Sequence, residues 1–275
     1  MQAIVREALR EDIGKRDITT QALISKKNAR AALVAKEPCV VCGLSIAGMA
    51  FKLRDKRITF KPEASDGKKV KKGKVLAFVR GPAQGILSAE RVALNFLSLL
   101  SGVATKTRQF VEAVKPYKAR IIDTRKTIPG LRILQKYAVR IGGGYNHRFK
   151  LDEMIVVKDN HLKVLGGPTG LRSQWPGLKS KGKLIEIEVN NLGEFQDALD
   201  LNPDVIMLDN MNISAMKKAV AIRNTQYAIR RPLIEASGGI TLQNIQRIAA
   251  TGVDTISIGS LTHSVNSVDI SLEIL

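Results

Sequence analysis

Apolar residues in the second half of the chain form short continuous runs that alternate with segments of helical spacing. Six runs predict buried strands: KARIID (118–123), MIVVK (154–158), LIEIEV (184–189), DVIMLD (204–209), PLIEAS (232–237) and DTISIG (254–259). The segments 129–141, 193–200, 212–222 and 241–250 are spaced as helices. Strands separated by helices predict a parallel sheet, and this many repeats indicate an α/β barrel that is incomplete by the eight-strand standard. A seventh strand could lie near the domain junction.

The first part of the chain follows a different pattern. Residues 2–12 have helical spacing, and residues 31–35, 58–61 and 75–79 form strand-like runs separated by turn residues. These elements precede the barrel strands, and the chain length leaves room for a smaller domain beside one barrel.

A nearly all-apolar helix is predicted over residues 88–101, with Ser88 as its cap. Its single polar stripe consists of Arg91, Asn95 and Ser98. A helix that is apolar around most of its circumference has to be buried on several sides, as at a domain or subunit contact. Arg91 could lie along the helix surface, form an internal ion pair with Glu90 or Glu112, or belong to a site.

The helix after the first barrel strand is predicted to begin near Thr127, as cap, and Pro129, in its first turn. The glycines at 142–144 are predicted to end it.

The net charge of the chain indicates which kinds of partner it could bind. The chain has 275 residues, enough for a barrel and a smaller domain, and a formal net charge of +19. Such an excess suits nucleic acid or small anionic substrates. Aromatic residues make up only 4% of the chain, so bases would find few stacking partners, and we expect no nucleic-acid partner.

We also expect no membrane partner and a cytoplasmic location. The N-terminus has no apolar segment behind basic residues, and no apolar run is long enough to span a bilayer. Cys39 and Cys42 form a lone CxxC without the second ligand pair that a structural zinc site needs, which favours two reduced core cysteines.

Every predicted barrel strand ends in polar or small residues. Several such residues at one barrel mouth indicate a site rather than isolated helix caps. The basic residues among them are mixed with glycine, asparagine and histidine, a composition typical of anion binding. The strand-end residues are Arg125, Lys158, Glu188, Asp209, Ser237, Gly238 and Gly259.

The last two strand ends predict a phosphate site. Ser237, Gly238 and Gly239 follow one strand, and Gly259 and Ser260 follow the next. Glycines there let backbone N–H groups approach an anion, and the following helix adds its positive end. His263 could be a further donor, a cap or a surface histidine.

Seven segments in order resemble one family. DTRKTIPGLR, KYAVRIGGGYNHR, KDNH, EIEV, LDN, EASGGI and IGSLTHS are similar to segments of quinolinate phosphoribosyltransferases, and the resemblance extends from Glu11 to Ser264. It implies an open, incomplete α/β barrel preceded by a smaller α/β sandwich. We therefore expect a sandwich domain over residues 1–93, a barrel over 94–264, and residues 265–275 packed back on the first domain.

The resemblance also implies the activity. Quinolinate and phosphoribosyl pyrophosphate would give nicotinate mononucleotide, pyrophosphate and carbon dioxide, in de novo NAD biosynthesis. The implied cofactor is magnesium, and the implied assembly is a homodimer in which Arg91 reaches the active site of the partner subunit.

Individual roles follow from the same resemblance. Thr124, Arg125, His147, Arg148 and Lys158 would bind substrate, mainly on the quinolinate side, and Lys126 would contact pyrophosphate. Glu188 and Asp209 would hold magnesium and the ribose hydroxyls, although their charges could also balance Lys158 and Lys126. Glu186 points the same way as Glu188 and is an alternative acidic ligand. The residues implied to be catalytic are Lys126, Lys158, Glu188 and Asp209.

Two departures from the family matter. Glu153 stands where an aspartate is usual, which is a conservative change. Residues 165–180 are rich in glycine and proline where the family has a helix, and they contain Trp175. We expect a loop there that could act as a lid or a contact surface.

Two other functions remain open. A related phosphoribosyltransferase could act on nicotinate without decarboxylation. From another class, a basic binding protein could have retained the barrel, although the intact charged strand ends argue against a dead site.

Overall fold

The computed structural model describes residues 1–226 and 232–275. Contacts divide the chain into two compact units. The first unit contains residues 1–108, 126–143 and 260–275, and the second unit contains residues 109–125 and 144–259.

A four-stranded antiparallel sheet is the centre of the first unit. Its strands, in spatial order, are β12 (Ile270–Ile274), β1 (Asn28–Ala35), β5 (Val75–Pro82) and β3 (Thr59–Pro62). A two-stranded ladder pairs β2 (Cys39–Val40) with β4 (Lys69–Val70). Ala31, Leu33 and Ala35 are all 0% exposed, because alternate residues of β1 point to one face and that face is the core.

Three short helices precede or interrupt these strands. They are α1 (Gln2–Ile13), α2 (Ile18–Leu23) and α3 (Leu44–Arg54). The turn before α2 is fixed by Asp17, whose carboxylate accepts the backbone N–H of Thr20 at 2.9 Å. This cap also lowers the pKa of Asp17.

The long apolar helix α4 spans Ala83–Ala113. It begins five residues before the predicted start, so the prediction that Ser88 caps it is wrong. Ser88 lies inside the helix, and its hydroxyl donates to Asp17 Oδ2 at 2.9 Å. By length and composition α4 could cross a membrane, but 67% of its most apolar window is buried, as in the core helix of a globular unit.

Helix α5 (Arg132–Gly142) starts later than its sequence predicts. Gly130 has φ +78°, a left-handed conformation that prevents the helix from extending back to Pro129. Thr127 is therefore not a cap, and its hydroxyl instead accepts from Arg132 Nε at 3.0 Å. The short helix α11 (Ser260–His263) packs against α5.

The second unit is organised around six parallel strands. They are β6 (Arg120–Ile122), β7 (Ile155–Val157), β8 (Ile185–Val189), β9 (Val205–Asp209), β10 (Leu233–Ser237) and β11 (Thr255–Ser257). Their spatial order is β6-β11-β10-β9-β8-β7. The first strand thus lies beside the last, which is the cyclic order of a barrel with the seam between β6 and β7 left open.

This arrangement confirms the predicted combination of an open parallel α/β fold with a second unit of strands and helices. All six predicted strands are present. No seventh strand joins this sheet within residues 1–226 and 232–275.

Strand β8 shows how the two faces of the sheet differ. Ile185, Ile187 and Val189 are buried on one face, where helix α8 (Leu192–Leu201) packs. Glu186 and Glu188 alternate with them and lie on the other face. The sheet therefore has an apolar helix-covered face and a face that carries carboxylates.

Residues 165–180 are mostly helical, so the predicted loop is wrong. Helix α6 (Asp159–Val164) is followed by α7 (Pro168–Lys179). A proline at the first helical position costs no hydrogen bond. Gly170 is needed for close packing, since a Cβ atom there would lie 1.9 Å from the Leu165 carbonyl oxygen.

The remaining helices are α9 (Ile213–Gln226) and α10 (Ile245–Ala249), which follow β9 and β10. Both overlap segments of predicted helical spacing, but α9 extends beyond the predicted end at residue 222 and α10 is shorter than predicted.

The prediction of two reduced core cysteines is confirmed. Cys39 and Cys42 are both buried and not disulfide-bonded. Burial raises the pKa of Cys39 to about 11, and it raises the pKa of Cys42 further. Both thiols are therefore protonated and unreactive at neutral pH.

Candidate active site

Strand register brings four predicted site residues to one edge of the parallel sheet in the second unit. Glu188 pairs with Met207, so Asp209 lies two residues further along on the same face. Asp209 in turn pairs with Ser237. Lys158 follows β7 at the same edge. The carboxyl ends of β7 to β10 thus present a lysine, two carboxylates and a hydroxyl together.

Lys158 and Glu188 form an ion pair across the first two of these strands. Lys158 Nζ lies 2.5 Å from Glu188 Oε2. The glutamate side chain is 10% exposed and the lysine 46% exposed, so the pair opens to solvent on the lysine side. Asp209 accepts a hydrogen bond from the Asn210 side-chain amide at 2.8 Å. Glu188 is therefore largely buried, whereas Asp209 is half-buried at the end of the neighbouring strand.

The charges of two arginines of the same unit, Arg125 and Arg148, act on each other. Arg148 donates to the carbonyl oxygen of Met154 at 2.7 Å. Burial lowers the pKa of Arg148, and the charge of Arg125 lowers it further. Glu186 acts in the opposite direction. Two positive charges in a partly buried site repel each other. A bound anion reduces this repulsion, so the site favours anion binding.

The segment that carries His147 and Arg148 is held against strand β6. The backbone of Tyr145 bonds to Ile121 and to Asp123. Asp123 is 0% exposed, and its carboxylate accepts the backbone N–H of His147 at 2.9 Å. The sequence places Asp123 at a strand end, but does not reveal that it orders the histidine segment.

His147 joins a cluster of buried carboxyl groups. Its Nε2 lies 2.8 Å from Glu186 Oε2. Glu235, on β10, brings a carboxylate oxygen within 4.8 Å of both Glu186 and the His147 ring. Glu186 is 0% and Glu235 2% exposed. Burial, followed by the charge of Glu186, raises the pKa of Glu235 to about 8.

These three residues are of metal-binding type, but their hydrogen bonds favour a proton over a metal. The backbone N–H of Arg148 donates to His147 Nδ1 at 2.9 Å. Since Nδ1 accepts, the neutral ring carries its proton on Nε2 and has no lone pair there for a metal. Sequence reasoning missed Glu235, although its period of two from Ser237 could have placed it on the carboxylate face.

The predicted phosphate loop after β10 depends on glycine. Gly238 has φ +86°, and a Cβ atom there would lie 2.1 Å from Asn210 Oδ1. Gly239 also has a positive φ, +60°, and its carbonyl oxygen accepts from Asn244 Nδ2 at 2.8 Å. Only glycine fits at Gly238 without moving Asn210, so the backbone stays open towards a ligand.

Four predicted site residues, Arg91, Lys126, Ser260 and His263, belong to the first unit. Thr262 donates its hydroxyl hydrogen to the Lys126 carbonyl oxygen at 2.6 Å. Gln135 donates to the Thr262 carbonyl oxygen and accepts the backbone N–H of Ile128. Buried Gln135 and Thr262 therefore fix the backbone beside Lys126, a role that their sequence positions do not indicate.

The backbone of residues 260–264 is fixed by Lys106, which the sequence did not indicate as a site residue. Lys106 donates to the carbonyl oxygens of Ser260 and Ser264 at 2.8 and 2.7 Å. Burial lowers its pKa. A His263 ring nitrogen lies 2.6 Å from the Ser264 hydroxyl.

Arg91 is exposed on helix α4. With Asn95 and Ser98 it lines a hollow of about 420 Å³. The predicted polar stripe is therefore present on the surface of the first unit.

The remaining predicted site residues directly follow strands of the parallel sheet. Thr124 and Arg125 follow β6 and are half-buried, and Gly259 follows β11. The second unit therefore contains eleven of the fifteen predicted site residues, since the other four belong to the first unit.

Two family models together match nearly the whole chain. "Quinolinate phosphoribosyl transferase, N-terminal domain" matches residues 17–101, and "Quinolinate phosphoribosyl transferase, C-terminal domain" matches residues 103–273.

Individual relatives are similar over almost their full length. A "probable nicotinate-nucleotide pyrophosphorylase (carboxylating)" of Synechocystis sp. is 43% identical over 276 residues, covering 98% of this chain and 91% of the relative. A Bacillus subtilis protein of the same description is 41% identical, with coverages of 96% and 90%. The crystal structure of nicotinate-nucleotide pyrophosphorylase from Ehrlichia chaffeensis superposes with a TM-score of 0.94 at 39% identity, covering 100% of this chain and 98% of that chain.

Proposed function

This chain belongs to the quinolinate phosphoribosyltransferase family, and from that membership we propose that it converts quinolinate and phosphoribosyl pyrophosphate into nicotinate mononucleotide. Pyrophosphate and carbon dioxide are the other products. The reaction supplies a pyridine nucleotide for NAD biosynthesis.

The observation that carries the proposal is the pairing of Arg125 with Arg148 in the second unit. Burial lowers the pKa of the Arg148 guanidinium, and the nearby charge of Arg125 lowers it further. A dicarboxylate neutralises two such cations, and the fork of an arginine binds both oxygens of a carboxylate. Quinolinate carries two carboxylates on adjacent ring carbons, and so it suits this pair.

The second part of the proposal concerns phosphoribosyl pyrophosphate. Glu188 and Asp209 end adjacent strands and accept hydrogen bonds from the ribose hydroxyls. The loop at Ser237, Gly238 and Gly239 receives the 5′-phosphate through backbone N–H groups. Lys126 neutralises charge on the departing pyrophosphate, and Gly259, Ser260 and His263 are further candidates for the phosphate.

The chemistry needs no side-chain nucleophile. The quinolinate ring nitrogen attacks ribose carbon 1 while the bond to pyrophosphate breaks, through a transition state of oxocarbenium character. The protein contributes positioning and charge complementarity. Once the ring nitrogen is positive, the carboxylate beside it leaves as carbon dioxide. The electron pair left on the ring carbon then takes a proton.

Magnesium is part of the proposal. Glu188 and Asp209 are hard oxygen donors on neighbouring strands, the type that magnesium prefers, and two carboxylates suffice when substrate phosphates and water complete the shell. When bound, the ion supplies charge neutralisation for pyrophosphate. Glu186 suits this role less well than Glu188 because it is fully buried and bonded to His147.

We also propose a homodimer with Arg91 acting across the interface. Arg91 is exposed on helix α4, and with Asn95 and Ser98 it lines a surface hollow of the first unit. A side chain in this position is suited to meet an anion held by a second copy of the chain.

A product assay tests the function directly. The enzyme is supplied with phosphoribosyl pyrophosphate, magnesium and either quinolinate or nicotinate, and nicotinate mononucleotide and carbon dioxide are measured together. Equal release of both products from quinolinate, with little product from nicotinate, is the expected result. Comparable turnover of nicotinate would remove the quinolinate assignment and leave phosphoribosyl transfer standing.

A further inference from the structure

The hydrogen bonds around His147 define its protonation. Nδ1 accepts the backbone N–H of Arg148 at 2.9 Å, and Nε2 lies 2.8 Å from Glu186 Oε2. A ring nitrogen that accepts an N–H bond has no proton of its own, so the proton of the neutral ring is on Nε2 and points at Glu186. Both ring nitrogens are therefore engaged within the protein.

This arrangement bears on the sequence-based expectation that His147 binds substrate on the quinolinate side, because the ring has no nitrogen left for a direct hydrogen bond to a carboxylate. To donate to a carboxylate, the ring would need to give up either Glu186 or the backbone of Arg148. Glu186 is 0% exposed, so its carboxylate would then be left buried without its partner, which is costly.

Arg148, in contrast, is held at two points. Its backbone N–H bonds to His147, and its guanidinium bonds to the Met154 carbonyl oxygen at 2.7 Å. An arginine has five N–H donors, so several are left for an anion. A side chain fixed at both ends loses little freedom when a ligand binds.

We propose that Glu186 is a positioning residue that acts through His147 to hold Arg148 in place for one carboxylate of quinolinate. The proposal rests on the function proposed above and deepens it. Glu186 accepts a hydrogen bond from Nε2–H and thereby selects the tautomer whose Nδ1 can accept the Arg148 backbone N–H. Glu235 brings a further carboxylate oxygen within 4.8 Å of Glu186 and the His147 ring.

The chain has three histidines, so the tautomer can be read directly by nitrogen NMR of the ¹⁵N-histidine-labelled protein without ligand. A His147→Asn variant assigns the signals. The expected result for the wild type is a bare Nδ1 and a protonated Nε2 at His147. Glu186→Gln should keep this tautomer because its amide oxygen still accepts from Nε2, whereas Glu186→Ala should lose it. A protonated Nδ1 in the wild type would overturn the proposal whatever the enzyme's activity.

Steady-state kinetics supply the second readout. Loss of a hydrogen bond to a charged group predicts that Glu186→Ala raises KM for quinolinate on the order of tenfold. KM for phosphoribosyl pyrophosphate should stay within about twofold, and Glu186→Gln should restore most of the loss. Glu194→Ala removes a carboxylate that accepts the Asn190 backbone N–H in the same unit, and serves as the matched control.

Two kinetic outcomes would contradict the proposal. One is an equal rise of both KM values in Glu186→Ala. The other is a Glu186→Gln variant as impaired as Glu186→Ala. If Glu186→Ala does not fold, the proposal is still tested by the tautomer of His147 in the wild type and by the kinetics of Glu186→Gln. A wild-type enzyme that does not turn over quinolinate would refute the proposed function, while the tautomer measurement would still report on the hydrogen-bond chain.

Discussion

Glu186 and Glu235 lie on strands β8 and β10, with β9 between them, yet one carboxylate oxygen of each lies within 4.8 Å of the other. Both side chains are buried, and each has one oxygen that accepts no hydrogen bond within the described residues. Two buried carboxylates at this distance do not both ionise readily, so one proton is retained between them. The charge of Glu186 contributes to the raised pKa of Glu235, after burial.

The shared proton predicts a pH dependence of stability. The pKa of Glu235 is raised from 4.5 to about 8 on folding, so between these values the folded chain binds a proton that the unfolded chain releases. The stabilisation is fully present below pH 4.5 and is lost as pH rises to about 8.

Chemical denaturation from pH 4 to 9 measures this effect. Relative to Glu235→Gln, the wild-type free energy of unfolding should fall by up to about 1.4 kcal/mol per pH unit inside the window. Parallel curves for the two proteins would show that Glu235 ionises normally in the folded state.

Loss of Arg125 or Arg148 should weaken quinolinate use strongly. Each Ala variant leaves one substrate carboxylate without its cation, which costs about 2–5 kcal/mol in kcat/KM. Arg172→Ala is the control, since that arginine forms an exposed ion pair with Asp200 on the helical side of the same unit. If the Arg125 and Arg148 variants lose no more kcat/KM than this control does, the two arginines do not bind the substrate.

Activity should depend on magnesium through Glu188 and Asp209. Glu188→Gln and Asp209→Asn remove one oxygen charge each, so a magnesium titration of the rate should shift to higher concentrations. Asp197→Asn changes an exposed carboxylate, 53% exposed, and should leave the titration unchanged. Full wild-type activity after thorough chelation would exclude a metal role for both residues.

Arg91 should act in the partner subunit. Arg91→Ala and Lys158→Ala chains, each inactive alone, should recover activity when mixed, because one site of a mixed dimer then has both residues. Mixing Arg125→Ala with Lys158→Ala is the control, since both residues belong to the same unit and each mixed site keeps one lesion. Absence of recovery after demonstrated subunit exchange would place Arg91 in its own subunit's site or in none.

The role of the predicted phosphate loop can be tested by comparing alanine substitutions at Gly238 and Gly239. Both have positive φ, but a Cβ atom meets Asn210 Oδ1 at 2.1 Å only at Gly238, and nothing within 4 Å at Gly239. Gly239→Ala should therefore cost about 1–2 kcal/mol of stability from backbone strain alone, and Gly238→Ala should cost more. Gly238→Ala should also raise KM for phosphoribosyl pyrophosphate. If both substitutions change stability and KM equally, the Asn210 side chain moves away from the added Cβ atom without a loss of stability.

The sequence predicts the parallel strands well because each lies in a short segment rich in apolar residues, as expected for strands that are buried on both faces. Helix α7 is missed for a physical reason. Pro168 and Gly170 are read as helix breakers, whereas a proline is tolerated at the first position and Gly170 is required by the nearby Leu165 carbonyl. Local patterns do not reveal which glycines are demanded by packing.

The strand-end residues of the site are predicted because their positions follow from the strand pattern. The cluster of His147, Glu186 and Glu235 is not, since its members are far apart in the chain and meet only through strand register. The tautomer of His147 depends on a backbone hydrogen bond from its neighbour, which no residue pattern encodes.

The four-stranded sheet and the six-stranded sheet each contain a strand that is synthesised long after the strand it pairs with. Strand β11 pairs with β6, and β12 pairs with β1, so residues 255–275 supply a missing neighbour to each sheet. During translation, β1 and β6 therefore emerge from the ribosome long before these partners, and unpaired strand edges are prone to aggregation. The nascent chain should depend on chaperones until release, and a stop codon anywhere before β11 should yield insoluble rather than merely inactive protein.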